Sequence, residues 1–226
     1  MKHISISLMV AVIGSFLLVT SGCGSDSYTL ARSILGDDLI TPEEIMRSRD
    51  GVSYTRQQRS QFRETIPPKE VLEWGRDNGY MLVAGPGRPM SLLEIRELNR
   101  DYFYAQGRAW YEEFAFSQEK KVGPEWIMLR KEPAPRTFSK HWNDQLGTLT
   151  QNEAPATAVE VVWGLTTYKA VRDVYLLSSR IFTRTDDMVL SRRVNLGHFD
   201  EDGLRLNNDR DGTRDGLFGL SPVRKL

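Results

Sequence analysis

The segment 157–173, which reads TAVEVVWGLTTYKAVRD, carries the strongest helical pattern in the chain. Apolar or small side chains recur on one predicted helix face at the i, i+3, i+4, i+7 and i+11 positions, which are Val159, Val162, Trp163, Thr166 and Ala170. Thr157 and Glu160 have the spacing of a capping box, in which each side chain satisfies a backbone N–H group at the start of a helix. The sequence therefore predicts a helix over 158–173, although its β-branched residues would also suit a strand.

The pattern after this helix changes to an alternation of apolar and polar residues, which is typical of strands. We expect three strands, at 181–185, 194–196 and 204–206. The acidic pair Asp186-Asp187 and the segment 200–203 have the residue types of turns between them. The C-terminal part is therefore predicted to be an antiparallel β-meander.

Capping signals and turn residues predict shorter helices before this point. We expect them at 41–50, 54–65, 67–79, 91–99 and 141–149, with Ser139 as a cap of the last one. Apolar and aromatic-rich segments predict strands at 80–84, 102–104, 110–116 and 126–130. Helices first, mixed elements next and a meander last indicate an α+β fold rather than alternating βαβ units.

The N-terminus resembles a secretory signal. An apolar segment at 4–18 follows Lys2, and it is too short to span a bilayer as a helix. Ser21-Gly22-Cys23 follows, and small residues before the one cysteine of the chain resemble the lipobox of bacterial lipoproteins, where this cysteine carries acyl chains. The alternative is an ordinary signal peptide, or an uncleaved anchor, with a chance cysteine. We expect residues 1–22 to be removed and Cys23 to be lipidated.

Lipidation would anchor the protein in the membrane of the bacterial cell envelope through its acyl chains. Gly24 at the second mature position resembles the outer-membrane default of enteric lipoproteins, which favours the outer over the inner membrane. Residues 23–40 are predicted to be a tether and 41–66 a helical extension with few apolar side chains to bury. Residues 67–226 are predicted to form a single globular α+β domain.

The charge of the chain argues against a nucleic-acid partner. Lys and Arg number 30 and so do Asp and Glu, which leaves no excess of positive charge for phosphates. His141 and His198 have no serine in a G-x-S-x-G elbow, and the chain has no H-E-x-x-H motif or cysteine pair. We therefore expect no cofactor and no nucleophilic catalysis.

An acidic segment near the C-terminus partly matches a calcium loop. Asn207, Asp209, Asp211 and Asp215 occupy ligand positions, and Gly212 stands where the loop bends sharply. The twelfth position holds a phenylalanine in place of the bidentate glutamate, and flanking arginines oppose a cation. A surface loop is the preferred interpretation, with no metal site of useful affinity.

Two further segments have features of binding sites. The run Gly85-Pro86-Gly87-Arg88-Pro89 lies between a strand and a helix, as phosphate loops do, but its prolines remove N–H donors and favour a rigid connector. Glu112 and Glu113 beside Trp110 and Tyr111 are residue types that line sugar clefts. Neighbours on a strand point to opposite faces, so these two glutamates could not act as a catalytic pair.

Several segments together resemble a group of small uncharacterised bacterial proteins, over a range from about residue 79 to the C-terminus. The resemblance rests on the runs at 89–93, 130–135, 139–142 and 219–225, on Trp126, and on Trp163 with 166–168. It supports a single domain and implies no activity. The sequence thus predicts a lipid-anchored envelope protein that binds an envelope protein or a glycan, or associates structurally. An envelope hydrolase that uses unidentified carboxylates on a glycan or peptide is the alternative.

Overall fold

The computed structural model describes residues 27–104 and 109–226. The predicted signal peptide, Cys23 and Gly24 lie outside the described residues. Among those described, no helix has the length and apolar character needed to cross a membrane.

The helices and strands alternate irregularly along the chain. The helices are α1 Ser27–Leu35, α2 Pro42–Ser48, α3 Arg56–Glu64, α4 Lys69–Asp77, α5 Leu92–Leu98, α6 Ala115–Gln118, α7 Trp142–Leu146 and α8 Ala158–Arg172. Short 3₁₀ helices cover Gly36–Asp38, Arg100–Tyr102, Trp110–Glu113 and Pro135–Thr137. The strands are β1 Leu39–Ile40, β2 Tyr80–Ala84, β3 Met90–Ser91, β4 Lys121–Val122, β5 Trp126–Arg130, β6 Glu153–Pro155, β7 Phe182–Val189, β8 Arg192–Gly197, β9 Arg205–Asp209, β10 Phe218–Gly219 and β11 Pro222–Arg224.

The strands form two larger sheets and a small ribbon. The first sheet has the order β1-β2-β5-β11-β6, in which β1 and β2 are parallel and the other pairs are antiparallel. The second has the order β10-β7-β8-β9, with β7-β8-β9 as an antiparallel meander. β3 pairs with β4. The predicted α+β fold with a C-terminal antiparallel meander is therefore confirmed.

Helix α8 is the central element, and its predicted capping box is present. It contacts β5 of the first sheet and β7 and β8 of the second, and it is buried around most of its circumference. The Trp163 indole N–H donates to the Ala84 carbonyl at 2.9 Å. A Cβ on Gly164 would lie 2.6 Å from the Leu129 side chain, so glycine at this position permits close packing of α8 on the first sheet.

The predicted turn at Asp186-Asp187 is wrong, because both residues lie within β7. The chain reverses at Leu190-Ser191, where both residues have positive φ, as a two-residue hairpin turn requires. Asp187 is buried and its carboxylate accepts a hydrogen bond from the Ala158 N–H, so it caps α8 from a neighbouring strand. An acidic pair is typical of a turn in sequence, but here Asp187 caps the start of α8.

The predicted tether is wrong for residues 27–40. This segment forms α1, a 3₁₀ turn and β1, and β1 adds an edge strand to the first sheet. Ala31, Leu39 and Ile40 are each fully buried. Because the chain pairs and packs here, it belongs to the core of the protein rather than to a linker.

The predicted helical extension at 41–66 does contain two helices, but it also contributes to the core. Ile45 is fully buried and Phe62 is 2% exposed. Phe62 packs edge-on against Trp126 at 5.1 Å between ring centroids, and the Trp126 indole donates to the Phe62 carbonyl. One well-placed aromatic ring thus fixes a helix whose other residues are nearly all polar.

The aromatic-rich segments predicted as strands have a different structure. Residues 110–116 form a 3₁₀ helix and the start of α6, and at 102–104 only Phe103 makes an isolated bridge, to Leu204. Strands require partners, and the rings instead make other contacts: Trp110 packs on Phe114 and Phe116 within its own segment, and Tyr102 packs on Phe199. The strands predicted at 80–84 and 126–130 are present as β2 and β5.

Candidate functional site

A groove lies beside the outer strand of the second sheet. We call it the β9 groove, and it is lined by Tyr104, Ala109, Trp110, Tyr111, Phe182, Leu204, Arg205, Leu206 and Asn207. Its volume is about 370 Å³, within the range of small-molecule sites. Three aromatic residue types, an amide and a guanidinium therefore meet in one concave surface.

The first wall is held by backbone pairing. The Tyr104 N–H donates to the Leu204 carbonyl at 3.1 Å, and the Leu204 N–H donates to the Tyr102 carbonyl at 2.8 Å. Gly203, with φ +105, lies so close to this segment that a Cβ would be 2.6 Å from the Tyr104 nitrogen. The position of Tyr104 thus depends on a glycine just before β9.

The second wall is held by a side chain. The Trp110 indole N–H donates to the Leu206 carbonyl at 2.9 Å. The ring packs on Phe114 and Phe116 with centroids 5.9 Å away in each case, and it remains half-buried. Both walls are therefore attached to one short segment, the first at Leu204 immediately before β9 and the second at Leu206 within it.

The floor of the groove is one face of the second sheet. Phe182 lies opposite Gly197, Gly197 opposite Arg205, and Asn195 opposite Asn207. Directly paired residues in an antiparallel sheet share a face, so Phe182, Arg205 and Asn207 point to the same side. Strand alternation thus places these polar side chains together on one face of the sheet.

Arg205 connects the floor to the first wall. Its guanidinium lies 4.1 Å from the ring centroid of Tyr104, and it approaches Asp202 at 3.6 Å. Stacking on an aromatic ring orients a guanidinium without using all of its N–H groups. Arg205 therefore keeps donors for a further acceptor.

Asn195 lies on the same face, in register between Arg184 and Asn207. It is fully buried, and neither its amide oxygen nor its amide nitrogen has a hydrogen-bond partner in the described part of the chain. A buried amide without partners costs free energy, but Asn195 is not among the residues that line the groove. The neighbouring Arg184 does have hydrogen-bond partners, because its guanidinium donates to Gln145, Lys140 and Thr213.

The β9 groove has no acid among its described lining residues. Nearby Glu112 forms an ion pair with Arg96, whose guanidinium also lies 5.6 Å from the Tyr111 ring centroid. Burial raises the pKa of Tyr111, so its phenol stays neutral and protonated at physiological pH. The groove can stack, donate and accept hydrogen bonds, but it lacks a described proton-transfer pair.

The candidate calcium ligands do not converge. Asn207 lines the β9 groove, Asp209 accepts from the Thr213 hydroxyl, and Asp211 is held by Arg193 through bonds of 2.8 and 3.1 Å. Asp215 accepts from the Leu217 N–H at 2.8 Å. Among the described residues, no cluster of three or more metal-ligating side chains occurs.

His141, His198 and Ser139 also lie apart from the groove lining. The predicted cap at Ser139 is wrong, because His141 occupies the N-cap of α7 and Ser139 has a positive φ of 55°. His141 Nε2 accepts from the Arg214 guanidinium at 2.6 Å, whereas His198 pairs with Asp200 at 3.0 Å. His141 and His198 thus each have a polar partner of their own.

The segment 85–89 packs as a connector. A Cβ on Gly85 would lie 2.0 Å from the Gly123 carbonyl oxygen, and one on Gly87 would lie 2.0 Å from that of Ser53. The carbonyls of these two glycines accept hydrogen bonds from Tyr54 and Gln58. Both positions therefore require glycine, because the backbone segments lie too close together for a Cβ atom. This close packing is enough to explain the glycines of the segment.

The sequence marks Trp110 and Tyr111 as neighbours of residue types that line sugar clefts, and Asn207 as one position of a partial calcium-loop match, but it does not single out Tyr104 or Arg205. An available signal was the alternation Arg205, Asn207, Asp209, which marks one polar face of β9. The chain has no significant match among family models, curated proteins or solved structures.

Proposed function

We propose that this protein is a lipid-anchored protein of the bacterial cell envelope that binds a segment of an envelope glycan in the β9 groove. The observation that carries the proposal is the juxtaposition of Tyr104 and Trp110 with Arg205 and Asn207 around one groove. Aromatic faces pack against the apolar faces of sugar rings, while amide and guanidinium groups bond hydroxyl oxygens. The groove thus offers both kinds of contact that a sugar ring presents.

Binding is favoured over hydrolysis by the chemistry of the lining. Glycoside hydrolysis uses two carboxyl groups on either side of the scissile bond. The described lining residues include neither aspartate nor glutamate, and Glu112 is paired with Arg96 outside the lining. The polar side chains that do line the groove, Arg205 and Asn207, can bond hydroxyl oxygens of an occupant instead.

A matched pair of variants on β9 tests the groove. Asn207→Ala removes a groove side chain, whereas Asn208→Ala removes its neighbour, which is paired with Val194 and faces the other side of the sheet. We expect Asn207→Ala to weaken binding of soluble cell-wall oligosaccharides about tenfold, as the loss of a ligand hydrogen bond predicts. Asn208→Ala should bind like the unchanged protein.

Isothermal titration calorimetry with the mature chain measures both affinities. Tyr104→Phe should keep the affinity, because the ring remains, and Tyr104→Ala should lose it. Equal affinities for the Asn207→Ala and Asn208→Ala variants, or no glycan binding at all, would contradict the groove proposal.

The anchor is tested separately. Each buried methylene of an acyl chain contributes about 0.8 kcal/mol to membrane binding, so several chains hold a protein essentially permanently. Cys23→Ser should abolish incorporation of a labelled fatty acid and release the protein from membranes or leave it as a precursor. Labelling that does not depend on Cys23 would contradict the anchor without affecting the groove.

A further inference from the structure

Helix α3 carries a row of arginines on one side. Arg56, Arg59 and Arg63 are three and four residues apart, so they lie on the same helix face, which we call the α3 basic face. Together with Glu43 and Ser60 they line a shallow hollow of about 220 Å³. The hollow is therefore polar and carries more positive than negative charge.

The α3 basic face is fastened to the beginning of the described chain. The Ser27 hydroxyl donates to the Arg63 carbonyl at 2.9 Å. The Arg63 guanidinium lies 5.2 Å from the ring centroid of Tyr28 and pairs with Glu43 at 2.9 Å. Residues at the start of α1 thus hold the end of α3 beside them.

This attachment limits how far the basic face can be from an anchor at Cys23. Four residue steps separate Cys23 from Ser27, and a fully extended chain covers at most about 14 Å in that number of steps. A lipid at Cys23 would therefore hold the arginines close to the membrane surface, where attraction to anionic headgroups is strongest.

We propose that the α3 basic face lies against anionic phospholipid headgroups and fixes the orientation of the protein on its membrane. The inference rests on the acylation of Cys23 that is part of the proposed function. Arginine suits this role because its planar guanidinium can donate two parallel hydrogen bonds to a phosphate. The occupant is the bilayer that holds the anchor, and the hollow at Ser60 would receive a headgroup.

Arginine footprinting on anchored protein tests this. The mature chain is coupled through the Cys23 thiol to a maleimide lipid in vesicles of phosphatidylcholine alone, or of equal parts phosphatidylcholine and phosphatidylglycerol. Phenylglyoxal modification is then followed residue by residue. We expect Arg56 and Arg59 to react about fivefold more slowly on the anionic vesicles, and molar salt to remove the difference. Arg180 and Arg210, both exposed elsewhere on the surface, serve as controls within the same molecule and should react equally on both vesicles.

Two double variants test whether the protection depends on the positive charge of Arg56 and Arg59. Arg56→Gln/Arg59→Gln should remove the protection of Arg63, and Arg56→Lys/Arg59→Lys should retain it. Equal reactivity of Arg56 and Arg59 on the two vesicle types would overturn the proposal. Chemical coupling makes the result independent of cellular acylation, so a failure of fatty-acid labelling and a failure of this proposal are distinguishable.

Discussion

Arg49 places a guanidinium in the protein core. It is 1% exposed, it lies 4.5 Å from the ring centroid of Trp163, and one nitrogen donates to the hydroxyls of Thr166 and Thr167. Its other two nitrogens have no hydrogen-bond partner among the described residues. Burial lowers the pKa of Arg49 to about 10, which leaves it charged at neutral pH. Contacts with two threonine hydroxyls and an indole ring thus take the place of the carboxylate that usually pairs with a buried arginine.

We expect Arg49→Met to be at least as stable as the unchanged protein. Methionine fills similar space without the cost of removing a charge from water. Arg49→Lys keeps the buried charge but loses planar stacking, so its free energy of unfolding should fall by about 2 kcal/mol. Urea unfolding of the two variants measures the contrast. A methionine variant that loses more stability than the lysine variant would show that the guanidinium is a net stabilising group.

Gly203 is the residue on which the first wall of the β9 groove depends. Gly203→Ala combines a positive φ with a Cβ 2.6 Å from the Phe103 and Tyr104 backbone, so we expect a loss of at least about 2 kcal/mol in unfolding free energy. Glycan affinity should fall as well, because Tyr104 would move. Gly212→Ala is the control, since no atom lies within 4 Å of its Cβ and its φ is not positive. Differential scanning calorimetry of both variants decides the stability effect, and a normal melting temperature for Gly203→Ala would rule it out.

At the scale of elements, local signals predicted local structure. The capping boxes at Thr41, Ser91 and Thr157 each start a helix in the structure, because capping depends on residues only three positions apart. Strand β1 was missed because two residues have no periodicity, and their pairing partner lies far along the chain in β2. The β9 groove could not be predicted for the same reason, since the Trp110–Leu206 bond joins residues 96 positions apart.

The packing of α1, β1 and α3 reverses an expectation drawn from composition. The sequence predicts a single globular domain over 67–226, which implies that a chain beginning near residue 66 would still unfold cooperatively. That chain would lose β1 and the Phe62 ring, exposing the edge of β2 and one side of Trp126. We now expect it to be insoluble or to lack a cooperative transition.

A chain beginning at Ser27 is the matched control, because it keeps every described element. It should show a single sigmoidal urea transition by tryptophan fluorescence. A cooperative transition in the shorter chain, with an unchanged midpoint, would show that residues 27–65 form a separable unit after all.

At the scale of the whole molecule, α8 joins two sheets, and several tyrosine phenols from different elements are buried in the structure. Tyr54 donates to the Gly85 carbonyl, Tyr80 to Glu153 and Tyr168 to Asp38. Burial raises the pKa of each, that of Tyr168 to about 12, from an ordinary value of 10.0. Their neutral forms are therefore favoured by folding.

This arrangement predicts steep alkaline unfolding. A tyrosine whose pKa is higher in the folded than in the unfolded state contributes stability that is complete below about pH 10 and is lost as pH rises toward the folded value. Arg49 acts in the opposite sense, because its folded pKa is lowered to about 10 and its deprotonation favours the folded state above that pH. Tyr54, Tyr80 and Tyr168 outnumber it, so the free energy of unfolding should fall by at least about 2 kcal/mol per pH unit above about pH 10.5.

Two variants should change this slope in opposite directions. Tyr168→Phe removes one raised phenol, so the fall should become shallower by about 1.4 kcal/mol per pH unit. Arg49→Met removes the opposing group, so the fall should become steeper by a similar amount. Urea unfolding followed by circular dichroism at a series of pH values gives both slopes. Slopes that do not differ among the three proteins would show that these buried groups do not control the alkaline transition.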